Sequence, residues 1–271
     1  MTSADRVVLV TGASSGIGKA IAVLLANEGA TVFGTSRQSA NDDSSLRQVR
    51  MIVMDVDQDE SVNSAIAEIL RATGRLDAVI NCAGWALSGA VEDTSTEEAK
   101  AQMETNFFGA LRVCRAVLPT MRAQGSGYVV NISSLGGVFG MPFSGMYSAS
   151  KFALEGMCEA LRMETRRMGI HVVLVEPGDF ATQLPTQRRS TKLTSDAYRN
   201  VLDSQLAQQS KDEAKARTPE PVARLISSIL ETRRPRLRYS VGMPDQRIVI
   251  LLKRFLPHTL FERIVGAAVG V

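Results

Sequence analysis

The chain has 271 residues, 45% of them hydrophobic, which is enough to bury one large core. No apolar run reaches the roughly 18 residues that a membrane-spanning helix needs, and the first residues lack the charged and apolar regions of a secretory signal. We therefore expect a soluble, cytoplasmic protein that forms a single domain over residues 1–271.

The net charge of +3 is unevenly distributed along the chain. Residues 1–182 carry 15 basic against 20 acidic side chains, whereas residues 183–271 carry 16 against 8. A basic surface can favour nucleic acid or anionic lipid. These charges are dispersed and lack interleaved aromatic residues, so we favour a solvated face and expect no nucleic-acid partner.

The three cysteines Cys82, Cys114 and Cys158 lie far apart, each within an apolar segment. Their spacing does not match that of metal ligands, so we predict no metal site. We expect three small buried side chains in a reducing compartment.

Short runs rich in Val and Ile alternate with longer segments of helical periodicity, a pattern typical of repeated strand–helix units. Parallel strands covered by helices on both faces read as nearly continuous apolar runs. The sequence therefore predicts a single-domain, doubly wound α/β fold with a mostly parallel sheet and helices on both faces. The predicted strands are Arg6–Val10, Thr31–Thr35, Met51–Asp55, Ala78–Asn81, Tyr128–Ile132 and His171–Glu176.

Beyond Gly178 the pattern changes. The polar stretch that follows has little apolar periodicity and predicts a mobile substrate flap over residues 183–217. A helix with Pro219 in its first turn and a last strand, Leu237–Val241, are predicted next. Residues 244–271 alternate apolar and basic residues and predict a C-terminal extension of two amphipathic helices, packed on the sheet, on a second subunit, or on a membrane surface.

A glycine-rich turn directly follows the first strand and opens the first helix, the context in which such turns bind dinucleotides. Glycines allow a close approach to a pyrophosphate, and the helix N-terminus favours an anion. The spacing G-x-x-x-G-x-G differs from the commoner G-x-G-x-x-G, so by itself the turn also fits an ordinary strand–helix connection. The candidate cofactor contacts here are Gly12, Ser14, Ser15, Gly16, Ile17 and Gly18.

Ser36 and Arg37 end the second strand, where a site for NAD(H) usually carries an acidic residue. An arginine pairs with a phosphate and a serine leaves room for it, which favours NADP(H) as the cofactor. Lys19 would add to the positive field. The alternative is that Arg37 is an ordinary loop cation.

Tyr147 and Lys151 lie four residues apart at the start of a predicted helix and therefore share one face. A phenol is a poor base at neutral pH, but a nearby ammonium lowers its pKa. Tyr147 can then exchange a proton with a substrate oxygen. Such a pair can also lie on a helix surface without a function, but the other motifs of the chain argue against that alternative.

The fixed order of these motifs resembles that of the short-chain dehydrogenase/reductase family, from about Arg6 to Thr182. The stretch Met141–Leu184, especially Ser150–Gly156, is most similar to the hydroxysteroid and retinol dehydrogenase branch. The resemblance implies a Rossmann fold and an NADP(H)-dependent oxidoreductase that transfers a hydride between nicotinamide and a carbonyl or secondary alcohol. The motifs that carry it, besides the glycine turn and Tyr147-x-x-x-Lys151, are Asn81-Cys82-Ala83-Gly84, Asn106 and Asn131-Ile132-Ser133-Ser134.

The resemblance also implies roles for single residues. Ser134 would hydrogen-bond the substrate oxygen, Lys151 would hold the nicotinamide ribose, and Asn106 would hold a water that links the lysine to solvent. Cys82 stands where the family usually has a second Asn, a change that keeps the backbone contacts. The other implied cofactor contacts are Asp55 and Val56 at adenine, Asn81, Ala83 and Gly84 beside the adenosine ribose, and Pro177, Gly178 and Thr182 at the nicotinamide carboxamide.

The expected partners are a lipophilic ketone, aldehyde or alcohol and a second copy of the chain. The family commonly forms dimers or tetramers through two long helices, which here match Thr96–Met121 and Met146–Met168. Two alternatives keep the fold: a non-catalytic NADP(H)-binding sensor or scaffold, and an epimerase or dehydratase that holds NAD. The apolar side chains that suggest a lipophilic substrate are Trp85, Leu87, Val138, Phe139, Met141 and Phe143.

Overall fold

The computed structural model describes residues 5–38, 43–178, 180, 188–215 and 218–269. The strands in this part of the chain are β1 (Val7–Val10), β2 (Thr31–Ser36), β3 (Arg50–Val53), β4 (Ala78–Asn81), β5 (Ala86–Ser88), β6 (Gly127–Ile132), β7 (Ile170–Pro177), β8 (Arg188–Ser190) and β9 (Arg238–Val241). The α-helices are α1 (Gly16–Asn27), α2 (Asp59–Thr73), α3 (Thr96–Met103), α4 (Ala110–Gln124), α5 (Gly145–Thr165), α6 (Asp196–Lys215), α7 (Glu220–Glu231), α8 (Pro244–Phe255) and α9 (His258–Val269).

A parallel sheet of seven strands lies at the centre, in the order β3-β2-β1-β4-β6-β7-β9. The chain runs outward from β1 to β3 and then crosses back to β4, so the direction of winding reverses between β1 and β4. Loops at the carboxyl ends of these two strands diverge and leave a crevice, the usual place for a ligand in such sheets. The predicted doubly wound fold is confirmed.

Helices cover both faces of the sheet, each over its own apolar core. On one face Ile21 of α1 and Ile226 of α7 are fully buried, and on the other Ile66 of α2 and Val113 of α4 pack with Leu154 of α5. Because the strands are buried on both sides, β1 reads Val-Val-Leu-Val with all four residues buried.

Two predictions beyond Gly178 need correction. The predicted flap contains β8, which pairs with β5 in a separate two-stranded sheet, and the long helix α6. We missed α6 because its surface is polar; Leu202 and Gln205 are buried while most of its other described side chains are at least partly exposed. The helix α7, the strand β9 and the two C-terminal helices are confirmed, although Pro219 is the N-cap residue of α7 and so lies one position before its first helical residue, Glu220.

Cys114 and Cys158 are buried free thiols, as predicted, whereas Cys82 is only partly buried and lines the crevice. Among the helices that the structure describes, none is both long enough and apolar enough to cross a membrane.

Candidate active site

A cleft opens at the carboxyl ends of β1, β2, β4, β6 and β7. It gathers most of the residues that the sequence singled out, although these lie up to 166 positions apart in the chain. The predicted residues in its lining are Gly12, Ser14, Ser15, Gly16, Ile17, Gly18, Ser36, Arg37, Asp55, Val56, Ala83, Gly84, Ser134, Tyr147, Lys151, Pro177 and Gly178. Asn81 and Asn106 lie behind this cleft, and Thr182 lies outside the described residues.

The glycine turn forms one wall of the cleft and is shaped by close backbone contacts. Gly12 has a φ of +66°, and a Cβ atom there would lie 2.9 Å from the Cα atom of Ala83. A Cβ atom on Gly18 would lie 2.9 Å from the carbonyl carbon of Gly12. Both positions therefore require glycine, and the absence of side chains lets a ligand in the cleft approach the backbone closely.

Thr11 ties this turn to the next loop, a role that no sequence motif indicated. Its buried hydroxyl oxygen accepts hydrogen bonds from the backbone N–H groups of Cys82 and Ala83, at 2.9 and 3.0 Å. The contact is made by a side chain to backbone groups about 70 residues away, so only the fold brings it together.

The far end of the cleft carries Ser36 and the exposed Arg37 on one side and Asp55 on the other. Lys19 does not contribute an unpaired charge here, because its ammonium forms a 2.6 Å ion pair with Asp43. The hydrogen bond from Lys19 lowers the pKa of Asp43 to about 2, so this pair is ionised at neutral pH. Arg37 is thus the cation that the described lining presents at this end.

Ser134, Tyr147 and Lys151 converge at the opposite end. Ser134 caps a single 3-10 turn, Leu135–Gly137, and its hydroxyl oxygen accepts a hydrogen bond from the backbone N–H of Gly136 at 3.1 Å. A Cβ atom on Gly136 would lie 3.3 Å from the ring of Tyr147, so this turn packs directly on the tyrosine. Since the Ser134 oxygen is used as an acceptor, its proton can be donated into the cleft.

Lys151 lies one helical turn from Tyr147, as predicted, with its Nζ atom 5.8 Å from the centre of the tyrosine ring. The lysine is 7% exposed, and its ammonium donates a 2.9 Å hydrogen bond to the carbonyl oxygen of Ile132. Burial lowers the pKa of Lys151 to about 8 because the charged form loses solvation. Near neutral pH the lysine therefore retains its proton while having a lowered affinity for it.

Asn106 occupies a π-helical segment, Glu104–Gly109, between α3 and α4. Its side chain donates to the carbonyl oxygen of Trp85 at 3.0 Å and to the hydroxyl of Ser150 at 3.1 Å, and it accepts from the N–H of Trp85 at 3.1 Å. A cavity of about 10 Å³ lies between Asn106, Lys151 and Asn81. That volume is at the lower limit of what one water molecule needs.

The side chain of Asn81 lies behind the cleft. Its side chain points away from the cleft and donates a 2.8 Å hydrogen bond to the side chain of Asn131 on the neighbouring strand. The residues that follow Asn81 in the chain, Ala83 and Gly84, line the cleft.

Trp85 and Arg189 close the cleft on its outer side. The guanidinium of Arg189 in β8 stacks 4.4 Å from the centre of the Trp85 ring. Arg189 was not predicted as a site residue because it lies in the segment that we expected to be a mobile flap. Leu87 and Phe139, which we expected to line a substrate site, are instead 3% and 8% exposed.

The chain is similar in sequence to known proteins. Residues 6–193 match a family model described as short chain dehydrogenase. A 3-ketodihydrosphingosine reductase from Bacteroides thetaiotaomicron is 40% identical over 259 residues, which are 95% of each chain. Human retinol dehydrogenase 8 is 38% identical over 194 residues, 68% of this chain and 61% of that protein.

A solved structure has the same overall fold. The crystal structure of a short-chain dehydrogenase from Streptomyces avermitilis covers 97% of this chain and 100% of its own, with a TM-score of 0.83 and 34% sequence identity.

Proposed function

This chain belongs to the short-chain dehydrogenase family, and from its site we propose that it is an NADP(H)-dependent reductase of lipophilic ketones that uses Tyr147 as general acid. The observation that carries the proposal is the cleft itself. It has a glycine turn in the middle, Arg37 at one end, and Ser134, Tyr147 and Lys151 at the other.

The residues present fit a dinucleotide. A Cβ atom at Gly12 or Gly18 would collide with backbone atoms, so both glycines keep a flat surface beside the N-terminus of α1, where an anion is favoured. Gly84, Pro177 and Gly178 would flank the nicotinamide half of the cofactor. When bound, the cofactor supplies the hydride that reduces the carbonyl carbon.

The protein side chains manage the charge and the proton at the carbonyl oxygen. Ser134 donates a hydrogen bond to that oxygen as negative charge develops on it. Tyr147 then gives the oxygen its phenolic proton, which completes the alcohol. The ammonium of Lys151 stabilises the phenolate that remains on Tyr147, because opposite charges in a poorly solvated site attract strongly.

We propose that Asn106 assists this step through the small cavity it shares with Lys151. Its side-chain hydrogen bonds to Trp85 and Ser150 fix the cavity wall, and one water there would connect the lysine to solvent. The proton lost by Tyr147 would be replaced along this route.

The preference for NADP(H) over NAD(H) rests on Arg37. It lines the cleft at the end of β2, where a carboxylate would repel a 2′-phosphate, and Ser36 next to it is small. The same position in a protein selective for NAD(H) usually holds Asp or Glu.

The lipophilic substrate is supported by the Bacteroides relative and by Trp85. The relative is named for a ketone with a long hydrocarbon chain, and the aromatic ring of Trp85 faces the cleft beside the reactive residues. We propose 3-ketodihydrosphingosine, a steroid ketone and retinal as the first substrates to compare.

The test is a titration of the purified protein with NADPH and NADH, read by fluorescence, followed by turnover with this panel read at the nicotinamide absorbance band. We expect tight binding of NADPH and oxidation of NADPH by at least one of these carbonyl substrates. Tight binding without oxidation by any lipophilic carbonyl would favour a cofactor sensor, and binding of neither cofactor would refute the proposal.

We also propose that the chain forms a homo-oligomer through the segments Thr96–Gln124 and α5. Phe108, Phe152 and Met163 on these segments are 41%, 42% and 73% exposed, which is unusual for large apolar side chains grouped on neighbouring helices. Light scattering would give the mass, and Met163→Glu would weaken the assembly; a monomeric wild type would refute this.

A weak membrane-surface association of α8 and α9 is the last part of the proposal. Phe255, Leu260 and Ile264 are 76%, 45% and 39% exposed there, beside the exposed cations Arg254 and Arg263. Flotation with vesicles containing phosphatidylserine should recover the protein, and neutral vesicles should recover less. Equal absence from both would refute it.

A further inference from the structure

A group of charged side chains, of which Glu155 and Glu176 are buried, lies behind the active-site lysine. Arg238 of β9 contacts three carboxylates: its Nε atom lies 2.9 Å from Glu155 Oε2 and 3.4 Å from Glu176 Oε1, and its Nη2 atom lies 2.5 Å from Glu159 Oε1. Ser240 donates a 2.6 Å hydrogen bond to the other oxygen of Glu176. Three carboxylates thus share one guanidinium, which leaves negative charge in excess.

Glu155 is the member of this group that approaches Lys151. It follows the lysine by four residues in α5, so Tyr147, Lys151 and Glu155 stand one above the other on a single helix face. Gly137 allows this packing, because a Cβ atom there would lie 3.2 Å from Glu155 Cγ and 3.2 Å from Lys151 Cβ.

The charge of Glu155 is only partly neutralised. Its side chain is 7% exposed, and its Oε2 atom is paired with Arg238. The carboxylate also meets the buried hydroxyl of Ser133. A neutral hydroxyl does not cancel a charge, so this buried carboxylate acts on neighbouring charges over a longer range than a solvated one does.

The negative charge of Glu155 and the burial of Lys151 have opposite effects on the pKa of the lysine. Burial lowers the pKa of Lys151, whereas the negative charge of Glu155 raises that pKa. Burial likewise raises the pKa of Glu155 above its usual value, whereas the hydrogen bond from Ser133 and the contact with Arg238 lower it and favour the ionised form. The charged and titratable groups that face Glu155 are Cys158 and Glu159 from α5, Glu176 from β7 and Arg238 from β9. Lys151 is also near the thiols of Cys82 and Cys158.

We propose that Glu155 is a positioning residue for catalysis, whose buried charge keeps the proton on Lys151 and so sets the pH range in which Tyr147 can exchange its own proton. This inference rests on the proposed function of Tyr147 and Lys151. It adds a residue whose carboxylate stands on the far side of the lysine from the cleft.

The direct test is an NMR titration of Lys151 in the protein without cofactor, with isotope-labelled lysine and the signal assigned by its loss in Lys151→Met. Glu155→Gln removes the charge with little change in shape. We expect the titration of Lys151 to move to lower pH by about one unit, because a nearby buried negative charge that favours its protonated form is removed.

Glu159→Gln is the matched control. Glu159 lies one turn further along the same helix and pairs with the same arginine, but its side chain is 52% exposed. Solvent screens such a charge, so we expect a shift of Lys151 below about 0.3 pH unit. Glu155→Asp keeps the charge and should retain most of the wild-type titration.

Turnover gives a second readout. Removing a negative charge favours loss of a proton from the Tyr147–Lys151 pair, whichever residue releases it, so the alkaline limb of ketone reduction should move to lower pH. A purely structural role would lower turnover at every pH without moving the limb.

The inference is overturned if Lys151 titrates in Glu155→Gln as it does in the wild type, or if Glu159→Gln shifts it equally. Should Glu155→Gln fold poorly, Glu155→Met removes the same charge and fills a similar volume, and it must give the same downward shift. Because the NMR titration needs no turnover, it remains decisive even if the wild type reduces none of the proposed ketones.

Discussion

Replacing Arg37 with Gln should weaken NADPH binding and leave NADH binding unchanged. A hydrogen bond between a guanidinium and a charged partner contributes about 1.5–3 kcal/mol. Arg37 is exposed, so solvent screens part of this interaction and the lower half of that range applies. We therefore expect the Kd for NADPH to rise about ten- to fortyfold, with the Kd for NADH within about twofold of the wild type.

Lys19→Gln is the control for this prediction, because it removes a cation from the same end of the molecule whose charge is already paired with Asp43. Its effect on NADPH should stay within about twofold. Fluorescence titration with both cofactors measures all four values. An equal loss of affinity for both cofactors in Arg37→Gln would refute the role of Arg37, as would an equally large loss of NADPH affinity in Lys19→Gln. The charge reversal Arg37→Asp should go further and make NADH the preferred cofactor.

Three other substitutions test different parts of the site. Gly18→Ala places a Cβ atom against the carbonyl of Gly12 and should abolish NADPH binding in calorimetry; tight binding would show that the turn does not form the cofactor wall. Asn106→Ala removes the partner of the part-buried backbone N–H of Trp85 and one of the two hydrogen bonds to the Trp85 carbonyl, of which Gln102 keeps the other. It should lower the free energy of unfolding, measured in urea, by about 1–3 kcal/mol and should also lower turnover. An unchanged unfolding curve would contradict the hydrogen bonds described. Lys151→Met should abolish turnover. It should nevertheless raise the free energy of unfolding at pH 7 by about 1–3 kcal/mol, because the pKa of Lys151 falls from 10.5 to about 8 on folding, and such a lysine destabilises the folded protein below pH 8. The difference in free energy of unfolding between the variant and the wild type should shrink as pH rises from 8 to 10.5. A Lys151→Met protein less stable than the wild type at pH 7 would refute this prediction.

The sheet was predictable from the sequence because strands buried on both faces leave a strong signal. Six predicted strands and the later one at 237–241 all occur, with ends that differ by one or two residues. Motifs anchored to strand ends were equally predictable: Tyr147, Lys151 and Ser134 meet because α5 packs against β7 and against the 3-10 turn Leu135–Gly137 that follows β6.

Features that depend on packing between distant segments were not predictable. The π-helical segment at Glu104–Gly109 leaves no periodic signal in the sequence, yet it is where Asn106 reaches Trp85 and Ser150. Helix α6 was missed because few of its residues are buried, so its sequence lacks a wide apolar stripe.

The charged residues behind Lys151 were also not predictable, because they come from segments far apart in the sequence. Glu155 stands four residues after the lysine and could have been noticed, but nothing in the sequence places Arg238 or Glu176 next to it. These residues come together only where β7 and β9 pair beside α5.

Tyr147→Phe tests most directly whether Tyr147 transfers the proton in carbonyl reduction. Turnover of a lipophilic ketone with NADPH and the Kd for NADPH should be measured on the same preparation of this variant and of the wild type. We predict that turnover is abolished while the Kd changes by no more than a few fold, since the ring remains and only the hydroxyl is lost. Near-normal turnover would contradict the assignment of Tyr147 as the proton donor.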